Sequence, residues 1–149
     1  MTHNDVLRSL RHLLNVSEAV LVDIFRLGNR EVSRAEVSAF LKTEDEAGYQ
    51  PCGDKAMACF LNGLVTYKRG KQEGRPPPPV EVPVTNNTVL KKLRVAFELT
   101  DDDIIAMLQR NGLKVSKTEV GAFFRRPDHR NYRECGDQFL RNVLKGLHG

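Results

Sequence analysis

The apolar residues of this chain recur at intervals of three and four positions, which is the spacing of amphipathic helices. Near the N-terminus, Val6, Leu7, Leu10 and Leu14 fall on one face of a helix predicted over residues 4–14. Further apolar stripes follow, and each half of the chain contains four of them. The pattern therefore predicts an all-α protein with four helices in each half.

The second half of the chain repeats the first. Residues 4–66 recur without a gap as residues 87–149, always 83 positions later. The recurring residues include Asn4, Val6, Leu7, Leu10, Val37, Phe40, Tyr49, Cys52, Gly53 and Asp54, which return as Asn87, Val89, Leu90, Leu93, Val120, Phe123, Tyr132, Cys135, Gly136 and Asp137. Because units of about 65 residues are marginally stable alone, we expect two tandem four-helix units, residues 1–67 and 87–149, packed together with pseudo-symmetry.

The segment 68–86 joins the two repeats and is basic and rich in proline. Its basic residues are Lys68, Arg69, Lys71 and Arg75. Four successive prolines at 76–79 favour the extended polyproline helix, which is a semi-rigid spacer. Val80, Val82 and Val84 alternate after them and could lie along a groove of either repeat.

Polar residues mark the helix ends at matching positions in both repeats. Ser33 and Glu36 have the spacing of a capping box, and their copies are Ser116 and Glu119. The other predicted N-caps are Ser17 and Thr100 for the second helix, and Asp54 and Asp137 for the fourth. Gly28, and the pair Asn111 and Gly112, are expected to take the left-handed turn after the second helix.

The composition is that of an ordinary soluble protein, with 40% hydrophobic and 28% charged residues. No apolar run approaches the ~20 residues of a membrane helix. Arg8, Arg11 and His12 interrupt the N-terminal segment, so no signal peptide is predicted and we expect a cytoplasmic protein. Three cysteines do not predict a disulfide framework. None of the four histidines recurs in the other repeat, so we expect neither a metal nor another cofactor.

A Tyr-x-x-Cys-Gly-Asp motif occurs once in each repeat. Its residues are Tyr49, Cys52, Gly53 and Asp54, and Tyr132, Cys135, Gly136 and Asp137. A cysteine just before a helix N-terminus can have a lowered pKa and react as a thiolate. However, no histidine accompanies the cysteine in both copies, and an activated thiol usually needs a base. We therefore expect a structural role for the motif and no enzymatic activity.

The second and third helices of each repeat have the outline of a helix-turn-helix, with the third as the reading helix. Arg125 and Arg126 are expected on its outward face in the second repeat. Arg and Lys side chains bind phosphates, and the net charge of +4 permits an anionic partner. We predict a nucleic-acid-binding module, for DNA or RNA. The predicted contacts are Arg34, Lys42, Lys68, Arg69, Arg110, Lys114, Lys117, Arg125, Arg126, Arg130 and Arg133.

A protein-interaction adaptor is the second hypothesis. A groove between the repeats would accept a partner helix, or the polyproline segment would recruit a partner. Adaptor binding would depend on exposed apolar surface and survive moderate salt, whereas nucleic-acid binding would not. In both cases we expect a monomer or a weak homodimer, and no membrane partner.

In its duplication and in two further sequence features, the chain resembles the YehS-like family of small bacterial proteins. The features are the Tyr-x-x-Cys-Gly-Asp motif and the stretch from Phe60-Leu-Asn-Gly-Leu64 to Lys68-Arg-Gly70. The resemblance covers essentially the whole chain. It implies a bacterial origin and two copies of an all-helical domain of unknown function, and it implies no activity or catalytic residue.

Overall fold

The computed structural model describes residues 1–71 and 73–148. Gln72, in the predicted linker, and Gly149, at the end of the predicted second repeat, lie outside the described residues. The described residues form eight α-helices and no strand. The helices are α1 (His3–Leu14), α2 (Glu18–Leu27), α3 (Arg34–Leu41), α4 (Asp54–Arg69), α5 (Asn86–Ala96), α6 (Asp101–Arg110), α7 (Lys117–Ala122) and α8 (Asp137–His148). The all-α prediction is confirmed, with four helices in each repeat.

The chain divides into two compact units, Met1–Val84 and Thr85–Gly149. In the first unit α2 packs against α3 and α4, and α1 packs against α3. In the second unit α6 packs against α7 and α8, and α5 packs against α8. Because α4 continues to Arg69, the first two residues of the predicted linker belong to its last helical turn. None of the helices within residues 1–71 and 73–148 is long and apolar enough to cross a membrane.

Each unit has its own hydrophobic core, built from the predicted apolar stripes. In the first unit the rings of Phe25 and Phe60 lie 4.9 Å apart. The fully buried side chains include Leu7, Leu10, Leu21, Ile24, Phe25, Met57, Phe60, Leu90, Leu93, Ile104, Leu108 and Leu140. Burying one such side chain contributes about 2 kcal/mol, so these stripes supply most of the driving force for folding.

The predicted caps of the second and third helices are confirmed. The Ser33 hydroxyl accepts the Glu36 N–H at 3.0 Å, and the Glu36 carboxylate accepts the Ser33 N–H at 3.2 Å. Ser116 and Glu119 make the same reciprocal pair at 3.1 and 3.2 Å. Ser17 and Thr100 cap α2 and α6.

The prediction that Asp54 caps α4 is wrong, because the helix begins at Asp54 itself and its N-cap is Gly53. The Asp54 carboxylate instead accepts a hydrogen bond from His3 Nε2 at 2.6 Å, which holds the pKa of this carboxyl below its usual range. Asp137 likewise begins α8, and its carboxylate accepts the Asn86 amide at 2.8 Å. His3 and Asn86 occupy equivalent positions, so each unit ties the start of its first helix to the start of its fourth.

Gly28 was expected in a left-handed turn, and this prediction is also wrong. Its φ is −88°, and the left-handed residue is Asn29, with φ 65°. Gly28 is required instead by the close crossing of α2 and α4. A Cβ at Gly28 would lie 1.7 Å from the Cys59 carbonyl oxygen, and a Cβ at Gly63 would lie 1.9 Å from the Ile24 carbonyl oxygen.

The second unit forms the corresponding crossing differently. Asn111 occupies the position equivalent to Gly28, and its Nδ2 donates to the Asn142 carbonyl at 3.2 Å. Asn142 is the counterpart of Cys59. The second unit therefore accommodates a side chain, and bridges the helices with a hydrogen bond, where the first unit has direct backbone contact. The left-handed residue here is Gly112, with φ 82°, as predicted.

Replacing Gly28 with Ala should destabilise the first unit by about 3 kcal/mol, because α2 and α4 must separate to admit the methyl group. Asn111→Ala is the matched control in the second unit and should cost about 1 kcal/mol, for one lost hydrogen bond. Urea denaturation followed by circular dichroism measures both losses. Equal costs at the two positions would contradict the different helix crossings.

Candidate nucleic-acid interface

A buried asparagine in α1 holds the loop that precedes α4. The Asn4 side chain is 2% exposed. Its Nδ2 donates to the carbonyl oxygens of Phe40 at 2.9 Å and Gln50 at 2.8 Å, and its Oδ1 accepts the Cys52 N–H at 3.0 Å. One amide therefore connects α1 to the end of α3 and to the residues on either side of Pro51.

Asn87 makes the same three bonds in the second unit. Its Nδ2 donates to Phe123 at 3.1 Å and to Arg133 at 2.8 Å, and its Oδ1 accepts the Cys135 N–H at 2.8 Å. Backbone groups in such a loop need partners, because leaving them unpaired costs free energy. We call Asn4 and Asn87, with these bonds, the asparagine clamps.

The loops held by the two clamps have corresponding backbone hydrogen bonds, each within its own unit. We call residues 42–51 the acidic loop and residues 125–134 the basic loop. In the acidic loop, Glu46 N–H donates to the Thr43 carbonyl at 3.0 Å; in the basic loop, His129 N–H donates to Arg126 at 2.9 Å. Each loop is also tied back to its third helix. These bonds run from Gln50 to Ala39 at 3.3 Å and from Arg133 to Ala122 at 3.2 Å.

The two loops differ in charge although their backbones correspond. The basic loop has four arginines and two acidic residues, a net charge of +2, whereas the acidic loop has one lysine and three acidic residues, a net charge of −2. The charged positions are Arg125, Arg126, Asp128, Arg130, Arg133 and Glu134 in the former, and Lys42, Glu44, Asp45 and Glu46 in the latter. The two units therefore carry loops of opposite net charge at equivalent positions.

The arginines of the basic loop are exposed. Arg126 Nε lies 3.7 Å from Asp128 Oδ1, and Arg133 Nη1 lies 3.9 Å from Glu119 Oε2, with all four side chains solvent-accessible. Ion pairs of this kind contribute about 0–1 kcal/mol, so a phosphate can replace the carboxylate at little cost. The Arg133 guanidinium also lies 5.9 Å from the centre of the Phe123 ring, which keeps it near the end of α7.

The prediction of a reading helix that carries Arg125 and Arg126 is wrong. The helix α7 ends at Ala122, so both arginines follow it in the basic loop. Six residues span only about 9 Å, which is short for a helix that reads a groove. Gly121, which stands where the first unit has Ser38, has low helix propensity and favours this early end.

The remaining predicted contacts are divided between the units. Arg110, Lys114 and Lys117 are exposed at the end of α6, in the connection and at the start of α7. In the first unit, Arg34 Nε lies 4.0 Å from Glu18 Oε2. The remaining candidates there are Lys42, Lys68 and Arg69, the last two in the final turn of α4. Lys42 Nζ donates to the Ala47 carbonyl at 2.9 Å, so this ammonium closes the acidic loop.

The cysteines of the recurrent motif are buried beneath the loops. Cys52 is 5% exposed and Cys135 is 6% exposed. Burial raises the pKa of each thiol to about 12, so both are protonated at neutral pH. Tyr49 and Tyr132 are half-buried in the same loops. This arrangement favours a packing role for the motif and disfavours a thiolate nucleophile.

Comparison with known proteins places the duplication in a family. The model of the family "Protein of unknown function (DUF1456)" matches residues 3–70 and again residues 86–148. The chain belongs to this family. It is 49% identical over 147 residues to "Uncharacterized protein YehS" of Escherichia coli (strain K12), an alignment that covers 99% of this chain and 94% of that protein. The resemblance seen in the sequence is confirmed, and no solved structure matches the chain.

The clamps are the feature that sequence reasoning missed. Asn4 and Asn87 recur in the two repeats, but their recurrence alone assigns them no role. The available signal was their position: each lies three residues before a leucine of the buried stripe, Leu7 or Leu90, and so faces the core. A polar residue on a buried face in both copies indicates backbone groups that need a partner.

Replacing Asn87 with Ala should destabilise the second unit by about 3 kcal/mol, because it leaves two carbonyls and one N–H without their partner. Asn131→Ala, in the exposed part of the same loop, should change stability by less than about 0.5 kcal/mol. Urea denaturation of both variants checks the difference. If the two variants were equally stable, the clamp would not hold the basic loop.

The buried thiols should make the protein less stable at alkaline pH. Folding raises the pKa of both thiols, so they contribute fully to the free energy of unfolding below the ordinary thiol pKa of about 8.5. This contribution is lost as pH rises towards about 12. The measurement is the urea midpoint between pH 7 and pH 10. The variant Cys52→Ala/Cys135→Ala should lose part of this decline, and an unchanged slope would show that other groups cause it.

Proposed function

We propose that this protein binds nucleic acid, without enzymatic activity, through the basic loop of its second unit. The observation that carries the proposal is the contrast between the two loops: the same clamp and the same backbone carry four arginines in one unit and three acidic residues in the other. Since both loops are compatible with the fold, stability does not require the arginines. A binding role accounts for them better.

The geometry favours contacts with the phosphate backbone. Exposed arginines on a loop held at its base can each approach a phosphate, and guanidinium groups bind phosphate oxygens bidentately. Lys114 and Lys117, which precede the loop, and Arg110 at the end of α6 add positive charge to the same unit. Because α7 is short, we expect recognition of charge and shape, with little direct reading of base sequence.

The acidic loop should repel the same ligand. Glu44, Asp45 and Glu46 occupy the positions equivalent to Pro127, Asp128 and His129. Like charges disfavour association with a polyanion, so the two units are expected to have different roles despite their common fold.

The two loops supply matched test variants. Arg126→Thr/Arg130→Ala/Arg133→Gln places the residues of the acidic loop in the basic loop, on a backbone that already accepts them in the first unit. Binding of labelled duplex DNA, duplex RNA and single-stranded RNA is measured by fluorescence anisotropy at low and near-physiological salt. Losing three phosphate contacts should reduce the slope of log affinity against log salt by about 3 for a duplex.

Two further variants make the test decisive. The reciprocal change, Thr43→Arg/Ala47→Arg/Gln50→Arg, should create binding in the first unit. The charge-reversed control, Lys55→Glu, changes an exposed residue in the first turn of α4, where an acidic residue is tolerated, and should leave binding unchanged. The proposal is refuted if the natural chain binds none of the three polymers at low salt, or if the loop variant binds as well as the natural chain.

A further inference from the structure

The four prolines form a prearranged segment on the first unit. Each of residues 75–78 precedes a proline and is therefore restricted to the extended region, and each proline has its own φ fixed near −65°. The segment 76–79 is exposed throughout. These restrictions favour a short polyproline helix, which needs no internal hydrogen bonds.

A buried side chain of α4 holds this segment. Asn62 is 6% exposed, and its Nδ2 donates to the carbonyl oxygens of Pro79 at 3.2 Å and Pro78 at 3.5 Å. Prolines offer only acceptors, so the amide must present its NH₂ group to them. Asn62 Oδ1 is consequently buried without a hydrogen-bond partner among the described residues. The fold tolerates this cost, about 1–3 kcal/mol, while keeping the prolines in place.

The downstream end of the segment is anchored as well. Val84 is 7% exposed, whereas Val80 and Val82 are 43% and 57% exposed. Of the three alternating valines predicted to lie along a groove, only Val84 is therefore buried. The position equivalent to Asn62 in the second unit is Lys145, which is exposed, so the second unit does not repeat this anchoring residue.

We propose that residues 75–80 are a polyproline ligand for a partner protein with an aromatic-lined groove. Such grooves bind exposed proline rings and aliphatic side chains of a preformed polyproline helix, and Val80 continues the exposed apolar surface beyond the prolines. Because Asn62 already holds the segment, the partner avoids part of the entropy cost of ordering it. This role is independent of the basic loop, which belongs to the other unit.

The charges give the ligand a direction. Arg75 directly precedes the prolines, Lys71 and Glu73 lie further towards the N-terminus, and Glu81 lies on the C-terminal side; all four are exposed. A complementary groove is therefore acidic at the end that receives Arg75. Charge complementarity of this kind fixes the orientation in which a nearly symmetric polyproline helix binds.

Purified SH3 and WW domains with acidic grooves are suitable probes, because they bind polyproline helices through aromatic residues. Isothermal titration calorimetry compares the full chain with a synthetic peptide of residues 73–84. At least one domain should bind the full chain roughly tenfold more tightly than the peptide, owing to the prearranged segment. Asn62→Leu, which retains the buried volume, should reduce the affinity of the full chain to that of the peptide.

Two substitutions test the contacts directly. Pro76→Ala/Pro77→Ala spares the prolines that Asn62 holds and should abolish binding, and Arg75→Glu should weaken it about tenfold. The proposal is overturned if the probe domains bind neither ligand, if they bind the peptide but not the full chain, or if these variants bind like the natural chain. It is also overturned if Asn62→Leu has no effect, because the segment would then not be prearranged.

Discussion

The asparagine clamp is the interaction on which the loop before the fourth helix of each unit depends. A loop of some ten residues without helix or strand has many backbone groups to satisfy, and a side-chain amide can serve both donors and acceptors. Asn4 and Asn87 each pair with one carbonyl at the end of the third helix, and with one carbonyl and one N–H just before the fourth helix. Most charged side chains of the two loops are therefore exposed to solvent, although Lys42 also closes the acidic loop by donating to the Ala47 carbonyl.

The exposure of the loop side chains explains how the duplicated units differ. The acidic and basic loops have corresponding hydrogen bonds and opposite charges, because their charged side chains lie on the solvent side of a clamped backbone. Exposed charges contribute little to stability. A change of sign therefore alters which ligands are attracted while leaving the fold almost unaffected. The units also differ at Asn62, which holds the polyproline segment in the first unit, because the second unit has Lys145 at the equivalent position.

The interior is less free to vary, and where it differs between the units the packing changes with it. The crossing of α2 and α4 brings backbone against backbone at Gly28 and Gly63, which leaves no room for a side chain. The second unit has Asn111 at the first of these positions and uses its amide as a bridge to Asn142. The two units thus have the same order of helices, while the contact between the second and fourth helices differs with the residues at the crossing.

The sequence by itself determined the helices, the N-caps of the second and third helix of each unit, and the duplication, because apolar periodicity and capping boxes are local patterns that report on residues close in the chain. It also identified the basic residues, but not their arrangement. Only the tertiary structure decided that Asn4 and Asn87 are clamps, that Asp54 receives His3, that Gly28 permits a helix crossing and that Asn62 holds the prolines. Each of these contacts joins residues 16 to 51 positions apart, and the physical reason is that burial, close approach and hydrogen-bond pairing over such separations arise only when the helices pack.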